Sequence, residues 1–410
     1  MPKIRMVVKH SSRGSIQNLV LSCGLALSML LGASAERALA QDAAAPAAQP
    51  AGSIGPGSLP EGIATSLQLS EDQRGQVRAF VAASKDALLG TDADKLRRAR
   101  VQLLDPLEKS GVSVAFRLEL AGAALPIAEQ MVRSEDVSAV INGLKIAGDL
   151  ATDPAGRLCI TKLDDQRVAV RFAAAAALNR LLEAAWREAP AISSVQAQSM
   201  VAALGKRLAV EPDPMVPDAL VRGMISGFQG EGTDFADARG VALKTLCDSL
   251  GQRVRESGKD GLPTEMLRTT IRGAAAVRDL LTSTTARSLV PTQVADAAGF
   301  GGDLLTFAKR EIKRGAYPSV APGDDDAARA SKVEARAFVV QAASLGETIV
   351  FFAQGLSGQT GSPTKMAELL KDASVQNDAR FAEDVKAITG PQGVLSKPPF
   401  GIAASRFADK

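Results

Sequence analysis

Histidine, tryptophan and tyrosine each occur once in this 410-residue chain. The one histidine, His10, stands near the N-terminus. The remainder therefore cannot assemble a Ser-His-Asp or Cys-His nucleophile, and almost every zinc or haem site loses its usual ligand. Trp186 and Tyr317 are a thin supply of aromatic platforms for a sugar cleft. No G-x-x-x-x-G-K-[ST] phosphate loop occurs. No cofactor and no metal are expected, and the chain is read as a non-enzyme. Alternation of β-branched and polar residues is also scarce, which argues against strands.

Charge of one sign is lacking too, once the N-terminus is set aside. Lys3, Arg5, Lys9 and Arg13 precede the apolar run "LVLSCGLALSMLLG", and Ala38-Leu39-Ala40 has small-x-small spacing. This is the layout of a secretory signal at 1–40, with cleavage expected before Gln41. The apolar run is shorter than the roughly 20 residues a stable span needs. An uncleaved anchor is the alternative. Lipid modification of Cys23 is a poorer one, because "VLSC" sits midway along the run. Residues 1–40 hold five bases and one acid; subtracting that excess of four from the formal +3 leaves −1. A near-neutral body offers no electrostatic footprint for nucleic acid. The periplasm or the exterior is the expected destination. There Cys159 and Cys247 read as buried small hydrophobes, with a disulfide between them left open.

What is abundant is helix former. After an Ala/Pro/Gly-rich linker at 41–62, Ala, Leu, Arg, Glu, Lys and Gln dominate from about Leu67 onward. Breaks fall at "GTDADK", "EKSG", "TDPAG", "REAPAISS", "EPDPMVP", "GKDGLP" and "YPSVAPGDDD", where Pro or Gly ends one helix and Ser, Thr or Asp caps the next. Short loops between helices force antiparallel neighbours. Some 370 residues beyond the signal exceed a typical single core, so two domains or an elongated array must bury the apolar residues.

Two stretches share the skeleton D-Q-R-x-x-V-R: "DQRGQVRAF" from Asp72 and "DQRVAVRFA" from Asp165. Glu135 with Val140 repeats the acid-to-valine step, 30 residues before Asp165. Pro126 and Pro154 precede two of these units. The stretch "PAGRLCITKLDDQRVAVRFAAAAALNRLL" resembles a HEAT repeat of the α-solenoid class: proline in the first helix, Asp in the turn, Val-Arg early in the second helix, then an Ala- and Leu-rich face. The resemblance covers about a third of the chain. It implies stacked antiparallel helix pairs, with Asp72, Arg78, Asp165 and Arg171 as rungs of a polar ladder between repeats and Val170 and Leu178 in the core. From the residues alone, two apolar stripes on the second helix predict burial on both sides. One holds Phe172, Ala175 and Leu182, the other Val170, Ala174 and Leu181. The alanine run Ala173 to Ala177 predicts close helix approach.

The repeat region is expected over 63–260, a C-terminal helical bundle over 261–389 and an irregular tail over 390–410. In "FVVQAASLGETIVFFAQGL", Phe338, Leu345, Ile349 and Phe352 lie on one seam, a candidate surface for self-association. Glu347 at its centre would cost roughly 2.5–3.5 kcal/mol in a bilayer, so no membrane span is expected there. "GFGGDLL" reads as a helix-start turn and "GDDD" as an N-terminal charge complement for the helix that follows, not a calcium loop. One catalytic alternative survives: Glu256-Ser257 matches the Glu-Ser context of lytic transglycosylases acting on peptidoglycan. The overall expectation is an exported all-α, HEAT-like scaffold that binds protein partners in the cell envelope. Its alternatives are that lytic enzyme and a self-assembling structural component.

Overall fold

A computed structural model describes residues 59–186, 191–228, 235–257, 261–315, 323–359, 361, 365–371 and 374–408. The expected signal, and the linker up to residue 58, lie outside the described residues.

Fourteen α-helices and no strand occur among the described residues. The first four are α1 (Glu71–Leu89), α2 (Ala93–Leu104), α3 (Val114–Val132) and α4 (Val137–Leu150). Next come α5 (Asp153–Thr161), α6 (Val168–Ala185), α7 (Ser194–Val210), α8 (Pro217–Ser226), α9 (Ala236–Arg255) and α10 (Thr264–Thr282). The last are α11 (Pro291–Lys313), α12 (Asp326–Leu356), α13 (Met366–Leu369) and α14 (Val375–Thr389). Their starts follow from local chemistry. Ser70 Oγ accepts from the Gln73 amide at 3.2 Å while Gln73 Oε1 accepts from the Ser70 amide at 2.9 Å, a reciprocal cap. Asp92, Ser113, Asp136, Ser193, Asp325 and Ser374 cap α2, α3, α4, α7, α12 and α14. Proline opens α8 and α11, where its missing N–H is not needed.

Consecutive helices pack as pairs: α1 with α2, α3 with α4, and so on to α11 with α12. The second members also touch one another in an unbroken row, α2, α4, α6, α8, α10, α12. First members touch as α1 with α3 and as α5, α7, α9, α11, and α5 leans on α4 as well. Two parallel rows joined pair by pair make the fold an all-α, HEAT-like solenoid. First helices begin at Val114, Asp153, Ser194 and Ala236, a step of about 40 residues, as HEAT-type pairs have.

This register separates the two D-Q-R-x-x-V-R stretches. Asp72 opens a first helix, whereas Asp165 lies in the turn before a second helix, so they are not equivalent positions of one repeat. Their valines do share a fate, since Val77 and Val170 are fully buried. On α6, Val170, Ala174 and Leu181 are completely covered, as are Ala175 and Leu182, while Phe172 emerges at the surface.

One core runs from Val132 in α3 to Ile349 in α12, with a second beneath α1 to α4. The boundary expected at 260 therefore falls inside a pair. Residues of both α9 and α10 contribute to the first core. The C-terminal bundle exists and begins later. A third core is enclosed by α11 to α14 and the tail, with Phe381, Met366 and Leu395 at its centre. The tail is irregular in path yet packed: Leu395, Phe400 and Phe407 are buried, and the Ile402 amide donates to Leu395 O at 2.8 Å.

Two further expectations are corrected. "GFGGDLL" lies inside α11, not at its start. A Cβ on Gly346 would stand 2.7 Å from Gly301 O, so α11 and α12 cross backbone to backbone only because both positions are glycine. The Phe338–Phe352 seam is spent inside the chain. Phe338, Leu345 and Ile349 are buried in the first core against α10, and Phe352 packs beside them. Those side chains are therefore occupied within the chain. α12 is long and apolar enough to cross a membrane, with half of its apolar window buried inside the molecule.

Candidate functional site

The residues expected to form a ladder occupy different settings. Asp72 is an exposed acid in the first turn of α1. Arg78 bridges Glu71 at 2.6 Å and Glu119 of α3 at 3.0 Å on the surface. Asp165 holds Arg167 in a fork, Oδ1 accepting from Nε at 2.8 Å and Oδ2 from Nη2 at 2.9 Å. That bond drives its carboxyl far below the usual range, helped by the Arg167 amide and by Lys162. Arg167 also donates to Glu135 O at 3.1 Å, tying the starts of α4 and α6 together. Arg171 is buried and reaches Asp165 only through the backbone, donating to the Asp165 and Gln166 carbonyls at 3.0 Å each.

The carboxylate that neutralises Arg171 was not foreseen. Glu211 follows α7 and accepts from Arg171 Nε at 2.9 Å and Nη2 at 2.8 Å. It also accepts from Arg207 Nε at 2.8 Å and the Asp213 amide at 2.9 Å. Burial pushes the Glu211 carboxyl up, but the two guanidiniums and the amide outweigh it and hold it below its ordinary value. The pair joins α6 to the turn of the following repeat.

A second set of arginines was also missed. Near the ends of α7, α9 and α11, one reaches back toward the end of the preceding first helix. Arg207 pairs with Asp164 at 3.3 Å, beyond α5. Arg253 donates to Leu208 O at 2.7 Å in the last turn of α7 and to Glu211 O at 2.6 Å just after it. Arg310 donates to Arg255 O at 3.0 Å, at the last residue of α9, and to Ser257 Oγ at 3.3 Å just after it. Carbonyls at helix C-termini lack partners within their own helix, and cations there are favoured by the helix dipole. The signal was present as basic residues in the last turns ("GKRL", "QRVR", "FAKR"), but their target is not legible in one dimension.

Glu256 caps the C-terminus of α9, exposed, and accepts from Gln252 Nε2 at 3.0 Å. Ser257 Oγ donates to Val254 O at 2.7 Å. Both line a cleft of about 350 Å³ between the α7–α8 and α9–α10 turns, with Asp213, Pro214, Pro263 and Met266. Cys159 and Cys247 are free and buried, and burial pushes the Cys159 thiol up to about 12. The "GDDD" acids act locally: Asp325 caps α12, and Asp324 holds Lys332 at 2.7 Å.

A further polar array lies on the second-helix row. Asp149 of α4 pairs with Arg180 of α6. Ser226 of α8 donates to Asn179 of α6 at 2.7 Å. Asp218 of α8 takes Arg222 at 2.7 Å and Arg272 of α10 at 2.8 Å. Arg268 of α10 reaches Glu334 of α12 at 2.5 Å and lies over the Phe338 ring. Polar and charged side chains thus link five successive second helices, and Phe172 of α6 is exposed.

No protein-family model matches the chain, and no curated protein matches it. Solved structures similar to it include engineered proteins, one of them a designed repeat protein. A designed armadillo repeat protein is 12% identical over 66% of this chain and 98% of its own, with a TM-score of 0.33. Crystal structures of two engineered proteins are each 14% identical. One covers 66% of this chain and 97% of its own at a TM-score of 0.36; the other covers 80% and 87% at 0.31. The solenoid assignment rests on the helix pairing itself.

Proposed function

We propose that the chain is an exported scaffold whose second-helix face binds a protein partner in the cell envelope. The observation that carries this reading is the polar array from Asp149 to Glu334. It spans five helices, and most of its side chains are open to solvent. Stacked helices make an extended surface of this kind, and its ion pairs are worth little for stability at such exposure. Their use is more readily found in recognition, where charge patterns select partners and speed encounter. The export element rests on the basic, apolar and small-x-small succession in residues 1–40.

The lytic alternative asks Glu256 to be a general acid. That role needs a desolvated carboxyl whose pKa is raised toward neutrality, and Glu256 is exposed on a helix end. The test is capture from envelope extract with the native chain and with Arg222→Glu/Arg272→Glu. The scaffold reading expects one or more partners lost in the double variant at unchanged helicity. Equal capture by both chains contradicts it. Peptidoglycan cleavage by the native chain that Glu256→Gln abolishes would establish the enzyme instead.

A further inference from the structure

The C-terminal segment crosses the first-helix row and ends in a prepared seat. Asp303, midway along α11, has a fully buried carboxylate. Its Oδ2 accepts from Arg406 Nη2 at 2.8 Å and from Arg255 Nη1 at 2.5 Å, and its Oδ1 from Arg406 Nε at 3.2 Å. Arg406 arrives from a 3₁₀ turn (Ala404–Phe407) more than a hundred residues later in sequence. Space for its guanidinium is made by glycine. A Cβ on Gly299 would stand 3.1 Å from Arg406 Cζ, and one on Gly251 would stand 2.4 Å from Asp303 Oδ2. The next residue, Phe407, is buried against Gly302 of the same helix.

The charges around the seat identify what fits it. Asp303, Asp296 and Asp248 face Arg255 and Lys244. Without Arg406 the seat keeps an excess carboxylate, and one of the three is wholly removed from water. Asp303 would keep Arg255 but lose both bonds from Arg406, and a buried carboxylate deprived of such partners is disfavoured. The occupant must therefore bring a cation, in planar fork geometry, followed by a large apolar side chain. The chain's own Arg406-Phe407 satisfies this in cis.

We propose that the groove between α9 and α11 is a recognition site for peptide segments carrying an arginine followed by an aromatic residue, closed in the resting chain by its own C-terminal strap. This groove lies on the row opposite the second-helix face, so either assignment can fail without the other. Opening the strap frees the seat for a segment of the same chemistry from another chain.

The test uses the full chain, its Arg406→Ala variant and a fluorescein-labelled peptide of the sequence GIAASRFA, copied from residues 401–408. Hydrogen exchange in Arg406→Ala should quicken at least tenfold over residues 394–408, while α9 and α11 stay protected. The peptide should bind Arg406→Ala at least tenfold tighter than the native chain by anisotropy. Adding Asp303→Asn should abolish that binding, as should replacing the peptide's arginine with alanine. Phe407→Ala, which leaves Asp303 paired, is a second way to open the strap and carries the same expectations. A strap that stays protected in both variants overturns the proposal. So does a released strap without peptide binding, or binding that survives Asp303→Asn.

Discussion

At Glu211 a fully buried carboxylate meets two guanidiniums, from Arg171 of the preceding repeat and from Arg207 of its own. Removing one partner of such a pair leaves charge stranded in low dielectric, so Glu211→Ala should cost about 3–5 kcal/mol, read from denaturant midpoints. The pH dependence has a definite sign. Asp165 and Glu211 are both held below their ordinary values, so the unfolded chain binds more protons than the native one on the acid side. Their contribution is complete above about pH 5, clear of the unfolded carboxylate range, and is lost as pH falls through the folded values. Glu211→Gln should accordingly lose less stability than the native chain on acidification below pH ~4. Equal acid losses in the two chains would remove Glu211 from this role. The thiols give an independent check on burial. Neither Cys159 nor Cys247 should react with a thiol reagent at pH 8 until the chain unfolds, because the nucleophile is the thiolate and burial suppresses it at both.

Among elements, glycine separates what composition reveals from what only packing decides. Gly75 sits inside α1 with nothing near an added Cβ, whereas Gly346 faces the backbone of Gly301 in α11. Gly75→Ala should therefore stabilise by roughly 0.5–1 kcal/mol. Gly346→Ala should destabilise by about 1–3 kcal/mol, because the obstacle is a carbonyl that cannot rotate away. Thermal melts of the two variants, moving in opposite directions, are the measurement. The same contrast explains what was readable beforehand. Helix starts were legible because Ser70, Asp92 and Asp325 act on amides two or three residues away. The glycines of "GFGGDLL" were not, since a turn and a close crossing have the same composition and the deciding neighbour is 45 residues off in α12. The burial of Val170 was legible from its stripe, and Val77 shares its place in the D-Q-R-x-x-V-R skeleton. Which row each belonged to was not legible, because both rows present an apolar stripe of one period. Glu211 was hidden for a similar reason: an acid before a proline reads as a turn residue until Arg171 is seen to arrive from the repeat before it.

Taken whole, the described residues from α1 to α12 form two rows of helices whose polar groups serve different ends. On the first-helix row, Arg253 and Arg310 are turned onto the carbonyl ends of neighbouring helices, bonds that hold pair to pair. On the second-helix row, Arg180 and Arg272 stand exposed over acids of adjacent helices and Arg222 over Asp218 of its own, where their stability value is small. Charge reversal at Arg222 and Arg272 should hence move the melting temperature little, by an amount corresponding to less than about 1 kcal/mol. Binding should fall far more than stability does. The most direct measurement places a photo-crosslinking residue in turn at Arg180, Arg222 and Arg272, and at Lys206 and Gln252 on the other row, in the chain expressed in its native cells. The account predicts a common protein adduct from the three second-helix positions and none from the other two. Adducts from Lys206 and Gln252 alone, or from no position on the second-helix face, would contradict it.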